Sequence, residues 1–153
     1  MRFANEEIYA DINLVVFEIK KILDEKITPP LRGVEGGGAK KTTTLFCPMI
    51  DAKRMEVYCA VYDGKLKEIK KTSAEIIEEN SFADLLKTNK IIFFGDGAEK
   101  CKSKITHQNA VFENKFSPSA QFMIPIAEKF FLGNKFEDVA YFEPFYLKDF
   151  VGK

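Results

Sequence analysis

The segment from residue 43 to residue 72 has the pattern of β-strands, with an apolar stretch around Cys47 and faces that alternate with a period of two from Met55. It divides into three predicted strands, about Thr43–Ile50, Met55–Tyr62 and Lys65–Thr72. Asp51 favours a turn after the first strand, and Asp63-Gly64 is typical of a hairpin turn after the second. The middle strand has two faces, one with Met55, Val57, Cys59 and Val61 and the other with Glu56, Tyr58, Ala60 and Tyr62. The pattern therefore predicts an antiparallel meander.

Helical patterns and single strands alternate after the meander. We predict a helical region over Ala74–Lys87, broken near Asn80-Ser81. The next strand, Lys90–Phe94, is continuously apolar, which is typical of a strand buried on both faces. A short helix around Glu99–Lys104 and a strand near Ala110–Phe112 follow.

The last predicted helix and strand lie between residues 117 and 142. Ser117 is a favourable N-cap with Pro118 at the first helical position, and Gly133-Asn134 is a typical helix end. One side of this helix is apolar and contains Phe122, Met123, Ile126, Ala127, Phe130 and Phe131. A final strand is predicted near Val139–Phe142.

The order of these elements up to the last helix, βββαβαβα, predicts an α/β fold with a mixed five-stranded sheet, and the strand near Val139–Phe142 follows it. Three antiparallel strands followed by α/β crossovers are typical of a ribonuclease H-like domain, the half-unit of actin-like proteins. We expect this domain to span residues 42–153.

Residues 1–28 have the pattern of an additional N-terminal amphipathic helix, capped by Asn5 and ended by Pro29-Pro30. Its apolar seam consists of Ile8, Ile12, Val15, Ile19 and Ile22. The seam packs either on the domain's own sheet or against a second chain, and two heptads are too few for an isolated coiled coil. Residues 29–41 are predicted to be a Pro/Gly-rich linker. Its glycines imitate a phosphate-binding loop, but Ala39 breaks the spacing that such a loop requires.

Composition narrows the class of protein. Hydrophobic residues make up 46% of the 153 residues and charged residues 30%, which is typical of a soluble globular protein. Lysine plus arginine equals aspartate plus glutamate at 23 each, so no overall field attracts nucleic acid. We expect no membrane span, no signal peptide and a cytoplasmic location. The three cysteines and single histidine, His107, lack the spacing of a disulfide framework or zinc site, and His107 is expected in a surface loop.

Three motifs resemble the TsaB (YeaZ) family, whose members are non-catalytic partners of the tRNA threonylcarbamoyl transferase. The segment Pro48–Tyr58, PMIDAKRMEVY, resembles the family's DARR-x-EVY signature. Gly95-Asp96-Gly97-Ala98 is similar to its glycine-rich loop, and Pro144–Lys148 to its closing tail. The resemblance covers Leu45–Lys153, which corresponds to the family's C-terminal half. The motifs of the N-terminal half, which pairs with the catalytic subunit, do not occur, so we expect a truncated or remodelled relative.

The resemblance implies a scaffold rather than an enzyme. The implied role is in making threonylcarbamoyladenosine on tRNA, with a TsaD-like catalytic subunit as partner, no catalytic residue in this chain and no required cofactor. Peptidase activity has no basis in the sequence, which contains neither a nucleophile elbow nor a metalloprotease motif. The alternative is an orphan ribonuclease H-like domain that binds a nucleotide or metal.

The residues Gly95, Asp96, Gly97 and Ala98 are the candidates for nucleotide contact. A loop between a buried strand and a helix presents N–H groups at the sheet edge where α/β folds bind ligands, which would suit ATP or ADP with Mg²⁺. The competing interpretation is that the glycines serve the tight turn alone and that Asp96 suits any helix entry. The sequence leaves both open.

Four charged residues surround the first turn: Asp51, Lys53, Arg54 and Glu56. They form either a hairpin salt-bridge cluster or a polar contact surface for a partner or a phosphate. Asp51, Glu56 and Asp96 do not fit the two-metal arrangement of ribonuclease H-like nucleases, because Asp51 ends its strand rather than lying in its middle. No metal site is predicted.

Two surfaces are candidate interfaces between protein chains. One is the apolar seam of the N-terminal helix, and the other is the aromatic tail at Phe145 and Tyr146. An actin-like half that lacks its sister half leaves an apolar face to cover, so we predict a homo-oligomer. Direct nucleic-acid binding is not expected.

Overall fold

The structure, a computed structural model, describes residues 43–114, 119–143 and 147. The described residues fall into two units, 43–114 and 119–143, and each is described by itself. The predicted N-terminal helix and linker lie outside the described residues, as do Phe145 and Tyr146. The predicted extent of the ribonuclease H-like domain, residues 42–153, stays a prediction.

The first unit contains five strands and two short helices. In chain order they are β1 (Thr43–Asp51), β2 (Glu56–Tyr62), β3 (Glu68–Ile76), α1 (Ala83–Leu86), β4 (Asn89–Phe94), α2 (Ala98–Cys101) and β5 (Ala110–Glu113). The strands form one mixed sheet in the order β3-β2-β1-β4-β5. Strands β1, β2 and β3 are antiparallel neighbours, while β4 is parallel to β1 and β5 is parallel to β4. The predicted α/β fold with a mixed five-stranded sheet and a leading meander is confirmed.

One face of the sheet carries the hydrophobic core. The buried residues of this cluster are Leu45, Cys47, Met49, Val57, Cys59, Val61, Ile77, Leu86, Ile91, Phe93, Ala98, Cys101 and Ile105. The Phe93 ring lies at the centre, with its centroid 5.3 Å from that of Phe82 and 5.1 Å from that of Phe112. Helices α1 and α2 each contribute buried residues to this same cluster.

The opposite face is also buried over much of its area. Its buried side chains are Phe46, Ala60, Tyr62, Ile92 and Phe94. Strand β4 is therefore buried on both faces, as its continuous apolar run predicts. The second half of β2, residues 59–62, is likewise buried on both faces, and all four of its side chains are hydrophobic.

Two predictions in this unit are wrong. Strand β3 continues to Ile76, so the predicted helical region from Ala74 begins as strand, and only Ala83–Leu86 is helical. Ala74 and Glu75 have reasonable helix propensity, but they pair with Tyr58 and Val57 of β2, and tertiary pairing overrides propensity. The second hairpin turn is also longer than Asp63-Gly64 alone, because the Asp63 carboxylate accepts hydrogen bonds from the backbone N–H groups of residues 65 and 67.

The second unit contains a 3₁₀ turn, Ala120–Met123, followed by helix α3, Ile124–Leu132. The N-cap of the 3₁₀ turn is Ser119, whose hydroxyl accepts a hydrogen bond from the Gln121 N–H at 3.4 Å. The predicted N-cap Ser117 lies outside the described residues. The helix ends at Gly133, as predicted, and Asn134 follows with a positive φ of 51°.

The predicted apolar side of this helix is only partly buried. Ile126 and Phe130 are buried, whereas Met123 and Phe131 are exposed. The buried stripe of this helix therefore contains Ile126 and Phe130, which are four residues apart, and is narrower than the apolar side predicted from the sequence.

The strand predicted near Val139–Phe142 is not formed. The chain turns there instead, because the Asp138 carboxylate accepts a hydrogen bond from the Ala140 N–H and the Asp138 carbonyl accepts one from the Phe142 N–H, both at 2.9 Å. Val139 and Tyr141, which suggested a strand, are exposed.

Candidate functional site

The turn between β1 and β2 has an unusual backbone. Lys53 and Arg54 both have positive φ angles, 66° and 48°, a left-handed conformation that costs a non-glycine residue about 1–2 kcal/mol. Asp51 supports the turn, since its carboxylate accepts a hydrogen bond from the Lys53 N–H at 2.8 Å. The Ala52 N–H donates to the Glu56 carbonyl at 3.1 Å and closes the hairpin.

Lys100, in helix α2, holds this turn in place. Its ammonium group donates to the Asp51 carboxylate at 2.5 Å, to the Arg54 carbonyl at 2.8 Å and to the Glu56 carbonyl at 2.7 Å. These three bonds use all three donors of the ammonium group. The side chain is only 23% exposed, so these bonds are partly shielded from water.

The loop Gly95–Ala98 packs directly against the end of β1. The Gly97 N–H donates to the Met49 carbonyl at 3.1 Å, and the Asp96 carboxylate accepts from the Asp51 N–H at 3.2 Å. Gly95 has a φ of 102°, and a Cβ there would lie 2.3 Å from the Met49 carbonyl oxygen. Glycine is therefore required at position 95 both by its backbone angle and by this close approach.

The two charged and glycine-rich motifs thus form one structure. We refer to residues 51–56, Gly95–Ala98 and Lys100 as the turn–loop cluster. Glu56 participates through its backbone carbonyl, whereas the Lys53 and Arg54 side chains are exposed and take part in none of the ion pairs found among the described residues. Sequence reasoning missed Lys100, because it is 49 residues from Asp51 and no local pattern marks it.

The pKa of Asp51 is lowered from its ordinary value of 3.8. The main cause is the hydrogen bond from Lys100, followed by the hydrogen bond from the Lys53 N–H. At neutral pH the carboxylate is therefore charged and compensated by Lys100. The charge that the turn presents outward consequently comes from Lys53 and Arg54.

The predicted nucleotide contact at Gly95–Ala98 stays a prediction, and the geometry limits it. Gly97 and Ala98 are buried, and their N–H groups already donate to the carbonyls of Met49 and Gly95. Asp96 is exposed, but its carboxylate already accepts the Asp51 N–H. Among the residues that the structure describes, no group of three histidine, cysteine or acidic side chains could hold a metal ion.

The three cysteines are buried free thiols of the core face. Burial raises the pKa of Cys47, and burial also raises the pKa of Cys101 to about 11. Both thiols are therefore protonated at neutral pH, and the thiolate is the nucleophilic form. His107 lies exposed in its loop, as predicted, and accepts a hydrogen bond from the Asn109 N–H at 3.1 Å.

Comparison with known proteins assigns no family. No family model matches the chain, and no curated protein is significantly similar to it. Within the described part of the chain, no helix is long and apolar enough to cross a membrane. The resemblance to the TsaB family is accordingly carried by the motifs alone.

Proposed function

We propose that this chain is a non-catalytic partner protein of the TsaB (YeaZ) kind, with a cytoplasmic role in threonylcarbamoyladenosine modification of tRNA. One observation carries the proposal: two motifs of the resemblance, 45 residues apart, are bonded to each other through the Asp96 carboxylate and the Asp51 N–H. A match of two separate segments gains weight when the two segments form one structure.

The strand order supports the same proposal at the level of the fold. An antiparallel meander of β1, β2 and β3, followed by parallel β4 and β5, is the arrangement expected of a ribonuclease H-like domain. The N-terminal amphipathic helix, with its seam at Ile8, Ile12, Val15, Ile19 and Ile22, is proposed as an addition to this domain.

The state of the polar groups favours a scaffold over a catalyst. The Lys100 ammonium, the Asp51 carboxylate and the Gly97 N–H are all engaged in internal hydrogen bonds. Groups that hold the fold together in this way are poorly placed to act as acids, bases or nucleophiles, which must meet a substrate directly. The motif residues therefore serve to shape a surface.

The proposal is tested by titrating the full-length chain into purified TsaD-like catalytic subunit in a calorimeter. We expect a one-to-one complex at micromolar concentration, and absence of binding would refute the scaffold role. A parallel titration with ADP and Mg²⁺ tests the nucleotide-binding alternative. That alternative requires measurable binding that the substitution Asp96→Ala weakens.

A further inference from the structure

Strand β3 is at one edge of the sheet, and its last four residues, Ser73–Ile76, pair with β2 in unbroken register. In an antiparallel pair, residues alternate between those that bond to the partner strand and those whose N–H and C=O point away from it. The Ile77 N–H donates to the Met55 carbonyl on the β2 side at 2.7 Å. By alternation, the N–H and C=O of Ala74 and Ile76 point away from β2, toward the free edge.

The bonds on the other side of β2 lead to the same result. The Ala52 N–H donates to the Glu56 carbonyl at 3.1 Å, so Glu56, and by alternation Tyr58, bond toward β1. These two residues lie opposite Ile76 and Ala74 of β3. Among the residues that the structure describes, no hydrogen bond from outside the sheet reaches the backbone of Ala74 or Ile76. Their N–H and C=O groups are therefore open to a further strand.

The two parts of β3 differ in how they are protected from such pairing. Lysines and β-bulges commonly protect an exposed sheet edge. The first part has both, because Lys70 and Lys71 lie there and the register with β2 shifts next to them. The second part, Ser73–Ile76, contains no lysine, no proline and no register shift. Its one charged residue, Glu75, is already paired with Lys70 at 2.8 Å.

An apolar surface lies beside the open edge. Ile50, Tyr58 and Ala74 lie opposite one another across β1, β2 and β3, on the face opposite to the core cluster. Ile76 shares this face, and Ile50 and Ile76 are 53% and 68% exposed. Ala74 is small, so a larger apolar side chain on a further strand can reach across it toward Tyr58.

We propose that Ser73–Ile76 is a docking edge for an extended segment of another protein, which adds to the sheet as an additional strand. An extended polypeptide carries donors and acceptors at the spacing that Ala74 and Ile76 present. The side chains of the segment opposite these two residues are apolar. Those between them are polar, because they lie beside Ser73 and Glu75. This docking does not depend on the proposed role in tRNA modification.

A second copy of β3 fits this edge less well. The two-fold pairings that use both open residues place Ile76 opposite Ala74 or Thr72 of the other copy, and these small side chains leave it largely uncovered. Four edge residues a side are also far fewer than the about 20–30 residues per partner of a standard interface. A short foreign segment needs only this edge, and it can place a larger side chain opposite Ile76.

The test is a titration of the full-length, isotope-labelled chain with the peptide Lys-Thr-Val-Thr-Val-Thr-Lys, followed by the backbone amide NMR signals. The valines pair with Ala74 and Ile76, and N-methylation of two threonines blocks the outer edge of the peptide. We expect the amide signals of Ser73–Ile76 to shift most. The matched control peptide is N-methylated on its two valines instead. It lacks the N–H groups that bond to β3 and should bind about tenfold more weakly or worse.

Two protein variants locate the binding on β3. Ile76→Lys places a charge on the open edge and should weaken binding of the peptide about tenfold or more. The matched control is Ile69→Lys, the same change at an exposed isoleucine of the protected part, which should bind the peptide as the wild type does. Both isoleucines are exposed, and the amide signals of the rest of the sheet show that each variant is folded.

Four results would overturn the proposal. They are amide signals of Ser73–Ile76 that do not shift in millimolar peptide, equal binding of the two peptides, equal weakening by the two substitutions, and an edge that a second copy occupies so that the peptide is excluded.

Discussion

Lys100 joins segments of the fold that are far apart in the sequence. Its single ammonium group bonds to one carboxylate and two backbone carbonyls of the β1–β2 hairpin. In this hairpin the backbone of Lys53 and that of Arg54 are both left-handed. Without the bonds from Lys100, these two residues would relax toward more favourable backbone angles. At the scale of single residues, this side chain stabilises the strained turn.

Replacing Lys100 with methionine tests this role. The substitution keeps most of the aliphatic length but removes the ammonium donor from the Asp51 carboxylate and from the carbonyls of Arg54 and Glu56, so we expect a loss of about 1–3 kcal/mol in the free energy of unfolding. The matched control is Lys102→Met, which removes a pair with Glu99 on the helix surface and should change stability by less than about 0.5 kcal/mol. Urea denaturation of both variants measures the difference. If Lys100→Met is as stable as the Lys102→Met control, Lys100 does not stabilise the turn.

The charge of Asp51 makes the same cluster sensitive to acid. The pKa of Asp51 in the folded state lies below its ordinary value of 3.8, so its contribution to stability is complete above that pH and is lost as the pH falls through the lower folded-state value. We expect Asp51→Asn to be less stable than wild type at neutral pH, with the gap closing below about pH 4. Urea midpoints at several pH values measure this gap. A gap that does not change with pH would rule out the ion pair as its source.

At the scale of elements, the loop Gly95–Ala98, which follows β4, packs against the end of the neighbouring parallel strand β1. The Gly97 N–H completes a hydrogen bond to Met49, and a Cβ on Gly97 would lie 2.9 Å from the Ile50 carbonyl carbon. The glycines therefore allow a loop to approach a strand more closely than any other residue would. This explains their presence without a ligand.

Gly95→Ala should disrupt that contact. The new Cβ would overlap the Met49 carbonyl oxygen, and alanine disfavours the φ of 102°, so we expect a destabilisation of about 2–4 kcal/mol. Gly133→Ala is the matched control, because Gly133 has a φ of −81° that alanine accepts, and it should remain within about 1 kcal/mol of wild type. Thermal and urea unfolding measure both variants. A stable Gly95→Ala protein would show that the loop can move away from β1.

At the scale of the whole molecule, the even balance of charge bears on association. Lysine plus arginine and aspartate plus glutamate number 23 each, so two copies do not repel each other at long range. Net charge therefore does not oppose the homo-oligomer that the sequence predicts.

The meander and the buried strand β4 could be predicted because their patterns are local. Alternation marks the strands, and the unbroken apolar run marks β4. The end of β3 and the missing strand near Val139 could not be predicted in this way. Residues 74–76 are a strand because they pair with β2. Near Val139, β-branched and aromatic residues suggested a strand, but the Asp138 carboxylate accepts a backbone hydrogen bond there and stabilises a turn.

The sequence alone determined that β1 to β5 follow one another in this order, that a turn follows β1, and where the two motifs of the candidate site lie, since each depends on neighbouring residues. Only the tertiary structure decided that the two motifs meet, that Lys100 joins them and that Ile50 and Ile76 share one exposed face. The physical reason is that hydrogen bonds and packing between strands link residues about 45–50 positions apart. The pattern of residues within a single segment cannot predict contacts between residues so far apart in the sequence.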